Sequence, residues 1–137
     1  MKLLSRFTKA QKEDFTMAYY EIKIAQKKTN HWIWYIFPQL EDLGYSATAK
    51  YYGLKNLKEA KKYYKNKQLK NNLIGISKAL LDIEGKDIVD IVGFIDAQKI
   101  QSCMTLFLQV DKDNEVFKGI IDKYYNGELD EKTLNLL

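Results

Sequence analysis

A single proline, Pro38, in 137 residues, with apolar residues returning every three or four positions on both sides of it, confines this chain largely to helices. No segment alternates apolar and polar residues between hairpin turns, as half-buried strands require. One run escapes the periodicity. His31-Trp32-Ile33-Trp34-Tyr35-Ile36-Phe37 is almost continuously apolar, and a short buried helix and a buried strand both fit it. Pro38 pushes Phe37 toward an extended conformation and ends whatever precedes it. The expected architecture is all-α: one domain over residues 1–137, a compact bundle of roughly five to seven helices, with this aromatic segment as helix or extended chain.

The helix boundaries follow from caps and stripes. Thr8 with Gln11 has the capping-box spacing, and Phe15, Ala18, Tyr19, Ile22 and Ala25 form a stripe that predicts a helix to about Lys28. Ser46 is placed to cap a short helix through Tyr51. Asn56 with Glu59 predicts another start, with Leu57, Ala60 and Tyr64 inward and Lys58, Lys61, Lys62 and Lys65 in water. Leu69, Leu73, Ile76 and Leu80 make the most regular stripe, and Gly85 is a stop signal. Asp96 is expected to cap a helix buried through Ile100, Cys103, Met104 and Phe107. Asp113 is expected to cap one buried through Phe117, Ile120, Ile121 and Tyr124 and closed by Gly127. Asp130 to Leu137 reads as a short docking helix.

Composition removes several function classes. A chain this long buries roughly 68–70% of its unfolded surface, so it needs neither metal nor disulfide to fold. Its one cysteine, Cys103, cannot form an internal disulfide, and with a single histidine it cannot supply a structural zinc site. Glycine-rich phosphate loops and nucleophile elbows are absent. The string Met1-Lys2-Leu3-Leu4-Ser5-Arg6-Phe7 lacks the apolar core of a signal peptide, and no apolar run reaches membrane-spanning length. The expectation is a cytoplasmic protein with no membrane association, no metal and no cofactor.

What remains is chemistry by residue type. His31, beside Asn30 and two tryptophans, is a candidate acid–base or anion-binding group; a satisfied, partly buried histidine is the alternative. Trp32 and Trp34 supply either core or stacking walls for a flat ligand. Asp96, Lys99 and Ser102, at intervals of three near a helix start, suit phosphate or carboxylate binding, with Thr105 on the same side. Between Lys50 and Lys70 stand eight lysines and one acid, Glu59, a local charge of +7 on a chain of net +4. With Tyr51, Tyr52, Tyr63 and Tyr64 interleaved, that segment suits RNA or an acidic protein surface as well as a solvated helix face.

Three blocks carry a family resemblance. The string His31-Trp32-Ile33-Trp34-Tyr35-Ile36-Phe37-Pro38-Gln39-Leu40 resembles the hallmark of domain-of-unknown-function family 1810. Arg6-Phe7 with Ala10-Gln11 resembles its opening. Gly44-Tyr45-Ser46 through Ala49-Lys50-Tyr51-Tyr52-Gly53 resembles its second block, and Asp96 with Lys99 and Ser102-Cys103-Met104-Thr105-Leu106-Phe107 its third. Lys50 departs from a frequent arginine and Cys103 from a small serine-like residue. The resemblance implies a small α-helical domain and brings no established activity.

Together these observations lead to an expected pocket for an anionic, nucleotide-like small molecule, nucleotide or ADP-ribose-like. Trp32, Trp34 and Tyr51 would give flat walls, Lys50 and Lys99 charge, and Gln39, Ser46, Ser102 and Thr105 hydrogen bonds, with His31 and Asp96 as acid–base candidates. Any turnover would be metal-free hydrolysis or transfer at a phosphate or glycosidic bond. The rival readings are an RNA- or acidic-protein-binding module working through Lys50–Lys70, and a structural or interaction domain without a ligand.

Overall fold

The computed structural model describes residues 2–137, with side chains from Leu4 onward; Met1, at the head of the N-terminal string, lies outside the described residues. Among these residues the chain is helical without strands. α1 (Lys2–Tyr20) runs into a π-helical turn (Glu21–Ala25), followed by α2 (Ile33–Ile36), a 3-10 turn (Glu41–Leu43), α3 (Ala47–Tyr51) and α4 (Leu57–Lys65). Then come α5 (Lys67–Leu81), α6 (Ile88–Val92), α7 (Phe94–Leu108), α8 (Glu115–Tyr125) and α9 (Glu131–Asn135). No helix of the described residues is long and apolar enough to cross a membrane.

The centre of the bundle is α7. Nine of its fifteen residues are buried, including Ser102 and Thr105, because α4, α6, α8 and α9 all pack on it. A helix wrapped this way loses its polar face. Thr105, expected on the same side as Lys99 and Ser102, is fully buried. α5 packs on α1, α4 and α8, with Leu69, Leu73, Ile76 and Leu80 in the core as their spacing predicts.

The caps behave as local chemistry dictates, with instructive exceptions. Ser46 and Asn56 accept hydrogen bonds from Ala49 N and Glu59 N and start α3 and α4. Asn66 splits what reads as one lysine-flanked stretch, ending α4 and capping α5 through Leu69 N. Thr8 is no cap: α1 is already helical from Lys2, and the Thr8 hydroxyl donates back to Ser5 O. Asp96 is no cap either, since α7 begins at Phe94 after Gly93, whose φ of 90° turns the chain out of α6. Asn114 rather than Asp113 caps α8, through Phe117 N.

The aromatic run resolves as the helix α2, ending before Phe37 and Pro38 as expected. The extended chain beyond it is pinned to the end of the second block: Leu54 N donates to Gln39 O at 2.9 Å and Glu41 N to Leu54 O at 2.7 Å. Gly53 makes this crossing possible, because a Cβ there would stand 2.3 Å from Glu41 Cα. Gly53→Ala should cost about 2–3 kcal/mol through overpacking, read as a lowered urea midpoint with an unchanged slope; wild-type stability would show that the two backbones can part without loss.

Candidate functional site

The site is built outward from a buried carboxylate. Glu21, in the first turn of the π-helical segment, is 4% exposed. Its Oε1 accepts from Thr29 N, Asn30 N and the Trp32 indole at 2.8, 3.1 and 3.0 Å, and its Oε2 accepts from the Asn30 amide. Burial opposes ionisation, but hydrogen bonds from Asn30, Thr29 and Trp32 outweigh it and hold the carboxyl at about 2. Trp32 is therefore core, its ring fully buried. The same loop is clamped from outside. Lys28 Nζ pairs with Asp96 Oδ2 at 2.7 Å and lies 5.0 Å from the Trp32 ring centroid, while Lys28 N donates to Ile91 O. Asp96 ties this loop to α7.

From that fixed loop the chain passes through α2 to Gln39 and reaches a cleft of about 640 Å3, within the range of small-molecule sites. Gln39, Asp42, Leu43 and Tyr45 form one wall; Ile95, Gln98, Lys99, Gln101 and Ser102 of α7 form the floor; Asp130, Lys132, Asn135 and Leu136 close the far side. Tyr45 is 92% exposed at its edge. Two ammonium groups and two carboxylates line this space, and none of the four is in a salt bridge among the described residues.

Lys99 is held by the face of Trp34, with Nζ 5.4 Å from the ring centroid. The Trp34 indole nitrogen is buried without a hydrogen-bond partner among the described residues, so the ring serves through its face. Asp130 is the most organised group of the cleft. Its Oδ2 receives the Ser102 hydroxyl at 3.1 Å, Thr133 N at 3.1 Å and the Thr133 hydroxyl at 2.6 Å, while Asp130 N donates to Thr105 Oγ1 at 2.9 Å. Oδ1 has no such partner among the described residues. The Ser102 hydroxyl also lies 3.1 Å from Gln98 O, and its one proton serves only one of the two acceptors at a time.

Of the residues expected from sequence, the structure thus brings Gln39, Lys99 and Ser102 to the cleft, with Trp34 and Thr105 behind it as supports. The others do not line it. His31 is exposed and has no hydrogen-bond partner among the described residues. Ser46 is committed to its cap, and Lys50 and Tyr51 lie exposed on α3. Cys103 is buried and burial pushes its thiol up, so it stays protonated in the core. The residues missed by sequence reasoning are Tyr45, Asp42, Asp130 and the α9 side of the cleft. Asp130 with Thr133 has the spacing of a cap, which was legible, but its reach to Ser102 was not.

The Glu21 carboxyl gives this arrangement a pH signature. Its folded value lies below the usual carboxylate range, so its contribution to stability is complete above about pH 4.5 and is lost as pH falls toward 2. The loss should approach about 3 kcal/mol at roughly 1.4 kcal/mol per unit. Urea unfolding from pH 6 to 2 should show this fall in the wild type and not in Glu21→Gln, which should be less stable at neutral pH; parallel curves would remove Glu21 from its role.

Comparisons with known proteins agree with this architecture. A family model described as Protein of unknown function (DUF1810) matches residues 1–137. The crystal structure of the conserved hypothetical protein Rv1873 from Mycobacterium tuberculosis superposes with a TM-score of 0.94 at 36% identity, covering 98% of this chain and 95% of that one. No curated protein matches significantly.

Proposed function

The chain belongs to the DUF1810 family, and we propose that it is a small-molecule-binding domain that takes an anionic, nucleotide-like ligand in the cleft between Gln39–Tyr45, α7 and α9. The observation that carries this reading is the set of opposite charges lining the cleft without pairing: Lys99 and Lys132 against Asp42 and Asp130. A ligand with both a phosphate and a hydroxylated sugar uses both signs, the phosphate on the ammonium groups and the hydroxyls on carboxylate oxygens. Asp130 Oδ1 is suited to a hydroxyl because its partner oxygen is already held by Ser102 and Thr133, so the carboxylate is oriented before the ligand arrives. Gln39, Gln98 and Asn135 add amide donors and acceptors, and the exposed Tyr45 ring offers a stacking surface at the rim. The flat wall expected from the tryptophans passes to Tyr45, and Trp34 acts through Lys99.

In this reading Asp130, rather than His31 or Asp96, is the group placed to exchange a proton with a bound ligand. Turnover would then be metal-free hydrolysis or transfer at a phosphate or glycosidic bond, with Asp130 at the ligand hydroxyl and Lys99 on the phosphate.

A thermal-shift panel of ADP-ribose, ribose 5-phosphate, mononucleotides and the parent nucleosides tests it. ADP-ribose at one hundred times its dissociation constant should stabilise the fold by about 2.7 kcal/mol, and nucleosides lacking phosphate should bind more weakly. Lys99→Ala and Asp130→Asn should each weaken binding about tenfold, about 1.4 kcal/mol, with Lys50→Ala and His31→Ala unchanged. No shift with any phosphorylated compound, or one indifferent to Lys99→Ala, would end the proposal.

A further inference from the structure

A second surface stands apart from the cleft's lining. Lys58, Lys61, Lys62 and Lys65 occupy positions i, i+3, i+4 and i+7 of α4, so all four project from one side, opposite the buried Ala60, Tyr63 and Tyr64. At 1.5 Å per residue they spread four ammonium groups over about 10 Å of helix. All four are exposed, and none is in a salt bridge among the described residues. Such a helix ordinarily spaces acids between its lysines to form pairs along its surface. Here the one acid, Glu59, is turned away, its Oε1 accepting from Lys55 N at 2.8 Å at the helix start.

The basic face continues past that start toward an exposed ring. Arg6 donates to Tyr51 O at 2.7 Å and to Gly53 O at 2.9 Å, and its charge is felt by both Glu59 and Tyr51. Arg6 of α1 thereby braces the end of α3, and only residues 52–56 separate Tyr51 from the start of α4. Tyr51 is 61% exposed, and its ring stands edge-on to Tyr52 with centroids 4.8 Å apart, so it is held rather than free to turn. Lys50 and Lys55 flank it in sequence and are exposed. An exposed, braced aromatic ring at the end of a row of unpaired ammonium groups is the combination that binds single strands: phosphates on the cations, a base on the ring. An acidic protein would use the lysines and leave the ring idle, and a duplex would hide its bases from it.

We propose that the lysine face of α4, with Lys50, Lys55 and Tyr51, binds single-stranded nucleic acid.

Fluorescence anisotropy of the full chain with a labelled twelve-nucleotide single-stranded RNA, across a salt series, tests this directly. Six phosphate contacts, one for each lysine named, should give a slope of log affinity against log salt of about −4. Lys58→Gln, Lys61→Gln and Lys62→Gln combined should flatten that slope by about 2, and circular dichroism should show the helices intact because these side chains are solvent-exposed. Tyr51→Ala should cost about tenfold for the single strand and nothing for a duplex of the same sequence. A DNA strand of the same sequence should bind with the same slope, since phosphates and a base face carry the contact. The proposal is overturned by absence of binding at low salt, by a slope unchanged in the triple variant, or by poly-glutamate or the duplex binding as tightly as the single strand at equal salt.

Discussion

The Glu21 carboxylate is the constraint from which the geometry of the rest descends. A buried charge must collect hydrogen bonds or be neutralised, and Glu21 collects them from Thr29, Asn30 and Trp32. Those bonds turn a connection between α1 and α2 into a fixed strap. Glu21 opens the π-helical turn with its side chain buried, and Gln26, in the left-handed region at φ 55°, closes that turn. π-turns often mark functional positions; this one sets the course of the aromatic segment that carries Gln39 to the cleft.

α7 translates that scaffold into a site. Buried over most of its length, it lines the cleft with residues between Ile95 and Ser102, opposite the Gln39–Tyr45 segment and α9. The cleft is therefore bordered by pieces whose positions are fixed elsewhere: Gln39 by its backbone bond to Leu54, Lys99 by the Trp34 face, Asp130 by Ser102, Thr105 and Thr133. Preorganised polar groups of this kind lower the entropic cost of ligand binding. The α4 lysines are the contrasting case, exposed charges without a salt-bridge partner among the described residues.

Much of the fold was legible because it is written locally. Apolar stripes in α5, α7 and α8 lie in the core, and Ser46 and Asn56 cap as their spacing predicts. Local signals failed where a better competitor stood nearby: Asn114 displaced Asp113, and an α1 already under way left Thr8 to bond backward. Gln11, three residues past Thr8, is no surface capping partner but a buried link donating to Tyr35 O and Tyr63 and accepting from Asn72. The cleft was only half legible. Lys99, Ser102 and Gln39 were marked by residue type, yet Trp32 and Asp96 were spent on structure by Glu21 and Lys28, partners that residue type does not reveal. Asp130, some thirty residues beyond Lys99, joins it only through packing of α9, which no periodicity reveals.

The proposed ligand site is one cleft assembled from three distant stretches of the chain. The most direct test is an amide chemical-shift titration of the 15N-labelled protein with ADP-ribose. Shifts concentrated in residues 39–45, 95–102 and 130–136, with α4 and the Glu21 strap unmoved, are the predicted result. Shifts confined to α3 and α4, or spread without focus over the surface, would contradict it.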